Sequence, residues 1–252
     1  KETAALKSTA SEIESKWASA TANDTETFVL EIGTEELPPH DVLAATEQLR
    51  EEIKEALADA RLKCSDVHAS GTPRRVHVRI RGLQSRQNDE RRVVRGPPAR
   101  AAFDKDGNPT KAALGFLRGL GLDADALERA EVRPDGEGKK KQPQNYLFVE
   151  VLDKGRSAGT VLSEALPEVV KQISFGRSMR WNFTSVAYSR PIRWLLAVLG
   201  DQVVDFEYAG VRSGNDTRTL RSDEDIAHPT ARVRHADDYE SVLSAEGIEV
   251  DA

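Results

Sequence analysis

A chain of 252 residues can hold one large domain or two smaller ones, and 38% apolar with 31% charged residues suits a folded protein with a modest core. The net charge of −6 excludes a general polycation, so any nucleic-acid contact must come from a local basic patch. The single cysteine, Cys64, excludes an internal disulfide and a multi-cysteine zinc site; no apolar run reaches the ~18 residues of a membrane-spanning helix, and no secretory signal is read at the N-terminus.

Residues 1–26 are rich in Ala, Ser, Thr, Glu and Lys, with Ile13 and Trp17 nearly alone as large apolar groups. They read as a linker or disordered tail, because so little apolar surface does not offset the ordering entropy. Residues 28–32 (FVLEI) predict a strand, followed by Gly33-Thr34-Glu35-Glu36-Leu37-Pro38-Pro39, a strand-to-helix turn. Glu35 and Glu36 could be a metal-binding or acid–base pair, but adjacent side chains point apart and no His or Asp stands at ligand spacing. Asp41 is the expected N-cap of a five-turn amphipathic helix with Leu43, Leu49, Ile53 and Leu57 inward.

Residues 67–70 predict a short strand, Gly71 to Arg75 a turn, and residues 76–83 (VHVRIRGL) a half-buried strand. His77 then shares a solvated phase with Arg79 and Arg81. Arg74 and Arg75 follow a proline-fixed turn that could hold them for a phosphate or a carboxylate. Residues 84–100 (QSRQNDERRVVRGPPAR) form the most positive window. Such a run is usually a solvated loop, and it is also the best electrostatic footprint for RNA. A tight turn at residues 104–109 precedes a short helix capped by Thr110, with Ala113, Phe116, Leu117 and Leu120 on one face. A further helical turn starts at Asp123.

Residues 132–144 predict a long hairpin tip carrying Lys139 to Lys141, and residues 146–152 its returning strand. A helix over 157–173 should be kinked or split at Pro167. Residues 174–200 interleave Arg177, Arg180, Arg190 and Arg193 with Trp181 and Trp194, a pattern that serves anion or nucleic-acid binding and arises equally from arginine stems packing on aromatic rings. They run into a buried strand at 192–199, with a helix as the alternative. A strand over 203–211, a turn at Gly214-Asn215 and a helix over 237–245 complete the pattern. These elements describe an α+β domain with basic patches; no Walker loop, His/Cys cluster or Ser-His-Asp set can be assembled.

Several blocks together carry a resemblance. Glu31-Ile32-Gly33-Thr34-Glu35-Glu36-Leu37-Pro38-Pro39, Thr72-Pro73-Arg74-Arg75, Arg95-Gly96-Pro97, Ala102-Phe103, Gly107-Asn108-Pro109-Thr110-Lys111-Ala112-Ala113, Gly115-Phe116, Met179-Arg180-Trp181, Arg190-Pro191 and Trp194 resemble the β subunit of the tetrameric, bacterial-type glycyl-tRNA synthetase. Residues 174–214 are worded like the plant and algal organellar form, in which α and β portions are fused. Residues 1–26 would then follow the α portion.

The resemblance implies a mixed, largely antiparallel α+β fold like the B3/B4 module of the phenylalanyl-tRNA synthetase β subunit, spanning 27–222, with 223–252 opening a following segment. It implies a part of glycine–tRNA ligase without a catalytic or metal site of its own. ATP and magnesium belong to the α portion. The implied partners are tRNA-Gly and that α portion, in a homodimer of fused chains or an α2β2 tetramer, with no membrane partner. The implied compartment is the chloroplast stroma or mitochondrial matrix for a fused form and the bacterial cytoplasm otherwise. RNA contacts are expected at Arg91, Arg92, Arg95 and Arg100 first, then at Arg74, Arg75, Arg177 and Arg180. A scaffold without RNA contact and, more remotely, a Glu35/Glu36 hydrolase are the alternatives.

Overall fold

A computed structural model describes residues 21–104, 106–134, 145–220 and 229–250. The expected tail over its first twenty residues, the hairpin tip with Lys139 to Lys141, and residues 221–228 lie outside the described residues. The described residues form two compact units: one from those up to 88 and from 156 on, the other from those between 89 and 155. This differs from one body over 27–222 with a separate segment after it.

In chain order the larger unit begins with β1 (Thr25–Thr34), α1 (Pro39–Asp59), β2 (Asp66–Thr72) and β3 (Arg75–Gln84). The smaller unit holds β4 (Glu90–Pro98), α2 (Ala99–Ala102), α3 (Lys111–Gly119), a 3-10 turn (Ala124–Arg129), β5 (Glu131–Pro134) and β6 (Asn145–Asp153). The larger unit resumes with α4 (Ala158–Gln172), β7 (Ile192–Leu199), β8 (Gln202–Val203), β9 (Glu207–Tyr208), β10 (Val211–Gly214), β11 (Asp216–Arg218), β12 (Thr230–Arg232), a 3-10 turn (Ala236–Asp238) and α5 (Tyr239–Ala245). The fold is mixed α+β and mostly antiparallel, as the pattern predicts.

The main sheet runs β2-β3-β1-β7-β10-β9, with β8 also on β7; among the described residues only the β7–β10 pairing is parallel. Its central strands bury both faces. One face carries Phe28, Leu30 and Ile32 of β1, Val76, Val78 and Ile80 of β3, and Leu195, Ala197 and Leu199 of β7, packed against α1 and α4. Burying such side chains contributes roughly 1.5–3 kcal/mol each before entropy is charged. The opposite face carries Val29, Leu196 and Val198, covered by Val233, Ala236, Tyr239, Leu243, Ile248 and Val250. The segment expected to open a following body therefore closes this sheet. It also changes the environment of the polar phase of β3: His77 is buried beside the Tyr239 ring, 5.1 Å between ring centres, rather than solvated.

Helix α1 buries Ala45, Leu49, Ile53 and Leu57, but Leu43 is 74% exposed and lies off the core stripe. Asp41 is not its cap: Pro38 takes that position, and the Asp41 carboxylate accepts a hydrogen bond from Ser189 Oγ. Helix α4 continues through Pro167 without splitting, held by its buried face of Val161, Leu162, Leu166, Val169 and Val170. Its cap is Ser157, whose Oγ accepts from Thr160 N at 3.2 Å. Replacing Ser157 with alanine should lower stability by about 1 kcal/mol in urea denaturation.

The strand expected over 203–211 is three short ones. Tyr208 pairs with Val211 across a two-residue turn in which Ala209 and Gly210 both take positive φ, 55° and 76°. That is the primed-turn geometry matching the strand twist, and Asn182 Nδ2 holds it by donating to Ala209 O at 2.7 Å.

In the smaller unit, β4, β6 and β5 form a three-stranded antiparallel sheet in that order. Ala102, Ala113, Leu117, Leu147 and Val149 form its core. The 84–100 window is therefore mostly the edge strand β4, not a loop. Thr110 stands at the start of α3 without capping it; its hydroxyl donates to Ala101 O instead.

Candidate nucleic-acid interface

Strand alternation sorts the arginines of the smaller unit. On β6, Leu147, Val149 and Val151 are buried, so Tyr146, Phe148, Glu150 and Leu152 occupy the other phase. The register pairs Arg91 with Leu152, Val93 with Glu150 and Arg95 with Phe148 on one side, and Arg133 with Tyr146 on the other. Cross-strand partners share a face, so Arg91, Arg95 and Arg133 stand with Tyr146 and Phe148. Val93 and Leu152 on this face are about half exposed, at 55% and 47%.

Each of two guanidiniums lies over the ring diagonal to it. Arg95 Cζ is 3.9 Å from the centre of the Tyr146 ring, and Arg133 Cζ is 4.4 Å from that of Phe148. Cation–ring attraction holds each guanidinium against its ring. Arg91 approaches Glu150 at 3.6 Å and Arg133 approaches Glu131 at 3.9 Å, both too exposed to fix a charge firmly. The result is an open sheet face of aromatic and guanidinium planes, chemically able to stack bases and to contact phosphates.

The other expected RNA contacts divide. Arg92 pairs with Val151 and so belongs to the opposite phase of β4, although its side chain is exposed. Arg100 is exposed on α2. Arg177 and Arg180 are exposed on the loop before β7, closed by the Met179–Tyr188 bridge. Arg180 Nε donates to Ser185 O at 3.0 Å, and Phe183 beside them is 91% exposed. Arg74 occupies the β2–β3 turn with its guanidinium 6.0 Å from the Trp194 ring centre.

Arg75 is the exception and corrects the expectation: it is 3% exposed and is committed inside the larger unit. Its Nη1 donates to Glu31 Oε2 at 3.3 Å and to Thr217 Oγ1 at 2.9 Å, and its Nη2 donates to Arg218 O at 2.6 Å. The fully buried Glu31 also accepts from Thr217 Oγ1 at 2.6 Å, from Tyr239 Oη at 2.5 Å and from Trp194 Nε1. Burial and the facing Glu31 charge push the Tyr239 phenol well up, so it stays a donor. Gly33 sits between Arg75 and Trp194 in the register, its Cα against the indole. Thus the Glu31, Gly33, Arg75 and Trp194 positions of the recognised blocks converge on one buried network.

Glu35 is bound to Arg193 at 2.6 Å and Glu36 is exposed, so the acid–base pair gains no support. Among the described residues no three His, Cys, Asp or Glu side chains gather as a metal set. Charge composition had flagged Arg91 and Arg95. Arg133, Tyr146 and Phe148 were missed, although residues 145–153 carry both aromatics on the phase opposite Leu147, Val149 and Val151.

Residues 28–252 match the family model described as the glycyl-tRNA synthetase beta subunit. The chain is 44% identical over 236 residues to "Glycine--tRNA ligase, chloroplastic/mitochondrial 2" of Arabidopsis thaliana, covering 94% of this chain and 21% of that protein. It is 36% identical over 225 residues to the "Glycine--tRNA ligase beta subunit" of Limosilactobacillus reuteri, covering 89% and 30%. The corresponding figures for the Desulforudis audaxviator protein of the same name are 40% over 224 residues, 89% and 31%. The chain thus spans a fifth to a third of the length of these relatives.

Proposed function

Since the chain belongs to the glycyl-tRNA synthetase β subunit family, we propose that it is a tRNA-contacting module of a glycine–tRNA ligase, without the ligase chemistry itself. The observation that carries this reading is the open face of the β4-β6-β5 sheet, where Arg91, Arg95 and Arg133 stand beside Tyr146 and Phe148. Glycine activation, with its ATP and magnesium, belongs in this reading to an α portion. The partners are tRNA-Gly and that α portion, in a homodimer of fused chains or an α2β2 assembly. The name of the Arabidopsis relative favours an organelle, chloroplast or mitochondrion, for a fused form; a free β subunit would work in the bacterial cytoplasm. A B3/B4-like architecture for the larger unit is part of the same proposal.

Phosphate contacts are electrostatic, so affinity should fall with salt. The double variant Arg91→Glu/Arg95→Glu should weaken tRNA binding by about tenfold or more at low salt and flatten the log-affinity against log-salt slope by about one unit per lost contact. Fluorescence anisotropy with labelled tRNA at several salt concentrations checks this. Unchanged affinity and slope would favour the second reading, a scaffold without RNA contact, which is supported by the way Glu31, Gly33, Arg75 and Trp194 serve the interior of the larger unit.

A further inference from the structure

Beside the committed Arg75, two further arginines of the larger unit lie over one indole, and Arg193 adjoins it in sequence. Arg74 and Arg218 place their guanidinium carbons 6.0 and 5.2 Å from the centre of the Trp194 ring. Arg218 Nη2 also reaches the carbonyl of Arg193, at 3.4 Å. The backbone fixes all three. The Pro73-Arg74 turn is tied to the end of β1 by Thr34 N donating to Arg74 O at 2.9 Å and Leu37 N to Pro73 O at 2.6 Å. Arg193 lies within β7, and Arg218 within β11 with its carbonyl held by Arg75.

The indole beneath them cannot retreat, since Gly33 presses on its ring and Glu31 holds its N–H. Like charges gathered on a rigid base repel one another. Burial lowers the Arg218 pKa, and Arg74 and Arg193 lower it further against the opposing pull of Glu35. Glu35 is the carboxylate at hand, and it is already given to Arg193 at 2.6 Å. Among the described residues the Arg74 side chain makes no hydrogen bond or ion pair, and Arg218 meets no carboxylate within ion-pair distance.

We propose that Arg74 and Arg218, with Arg193 alongside, form a phosphate-binding site on the face of Trp194. Two guanidinium forks, one from the β2–β3 turn and one from β11, suit an anion with several acceptor oxygens better than a single carboxylate. Because the forks are already ordered against the ring, little side-chain entropy is lost on binding. The site uses none of the residues of the β4-β6-β5 face and stands whether or not that face touches RNA. The phosphate is either free or part of an RNA backbone.

The test is a pyrophosphate titration of the 252-residue chain, following the Arg74 and Arg218 Nε–H signals by 15N NMR. Both signals should shift saturably in a chloride background. Arg74→Gln and Arg218→Gln should each weaken binding by about tenfold, the loss expected for one charge-assisted contact. Lys171→Gln, on the exposed side of α4, should leave it unchanged. Arg74 gives up only its ring contact, and Arg218 its ring contact and a long bond to Arg193 O while its own carbonyl stays held, so both variants should keep a melting curve close to the parental one. A short single-stranded RNA then identifies the source. Competition with pyrophosphate at these signals marks a backbone phosphate, and binding of pyrophosphate without competition marks a free one. Signals that do not move, or a response that survives both substitutions, would overturn the site.

Discussion

Glu31→Ala is expected to cost the larger unit about 3–5 kcal/mol, read as a lower urea midpoint. The carboxylate lies at zero exposure between β3 and β7 and accepts from four side chains: Arg75, Thr217, Tyr239 and Trp194. Truncation leaves a buried guanidinium without its counter-charge and three further donors without an acceptor, and unmet buried groups cost more than met ones contribute. The same argument gives the reverse experiment. Replacing Glu31 and Arg75 together with leucine and methionine should recover only the share of the loss due to the stranded guanidinium, since Thr217, Tyr239 and Trp194 still lack their acceptor. A single-variant cost below about 1 kcal/mol would sink the account.

Gly33→Ala is expected to be comparably severe. A Cβ at this position would stand 1.9 Å from two ring carbons of Trp194, well inside any real contact. The ring is hemmed in: its N–H is tied to Glu31, and Arg74, Arg75 and Arg218 lie over it. The cost should reach about 3 kcal/mol or more, the top of the usual range for over-packing, and show as a fall in melting temperature. Gly115→Ala in α3 is the internal contrast. Nothing lies within 4 Å of its Cβ, and alanine is the better helix former, so that change should be neutral or stabilising.

The apolar phase of the main sheet was legible because period-two alternation over residues 76–83 and the apolar run 192–199 need no tertiary knowledge. The polar phase was not. Arg75, His77 and Arg79 alternate as solvated residues do, yet residues 233–250 cover them, and Arg79 finds its counter-ion in Glu240. A partner so distant in sequence leaves no local trace. Strand β4 was hidden for a different reason: an edge strand tolerates the arginines and prolines that elsewhere mark a loop. Of the sheet face, Arg91 and Arg95 were legible by charge, whereas their union with Arg133, Tyr146 and Phe148 depends on strand pairing that only the register reveals.

The way the smaller unit is spliced into the larger bears on how the chain folds. The two strands of chain that bracket it meet at the Arg86–Ser157 bridge, with Gln87 N donating to Arg156 O at 3.0 Å and Arg156 N donating to Gln87 Oε1 at 3.0 Å. Inside the insert, Gly155 N donates to Asp89 Oδ1 at 2.8 Å, so its own ends are also drawn together. An insert that folds first turns a long floppy closure into a short one before α4 reaches the sheet, and the entropy of that closure is then no longer a barrier to the larger unit. Nested in this way, residues 89–155 enter the search that assembles the main sheet as a loop whose two ends are already neighbours.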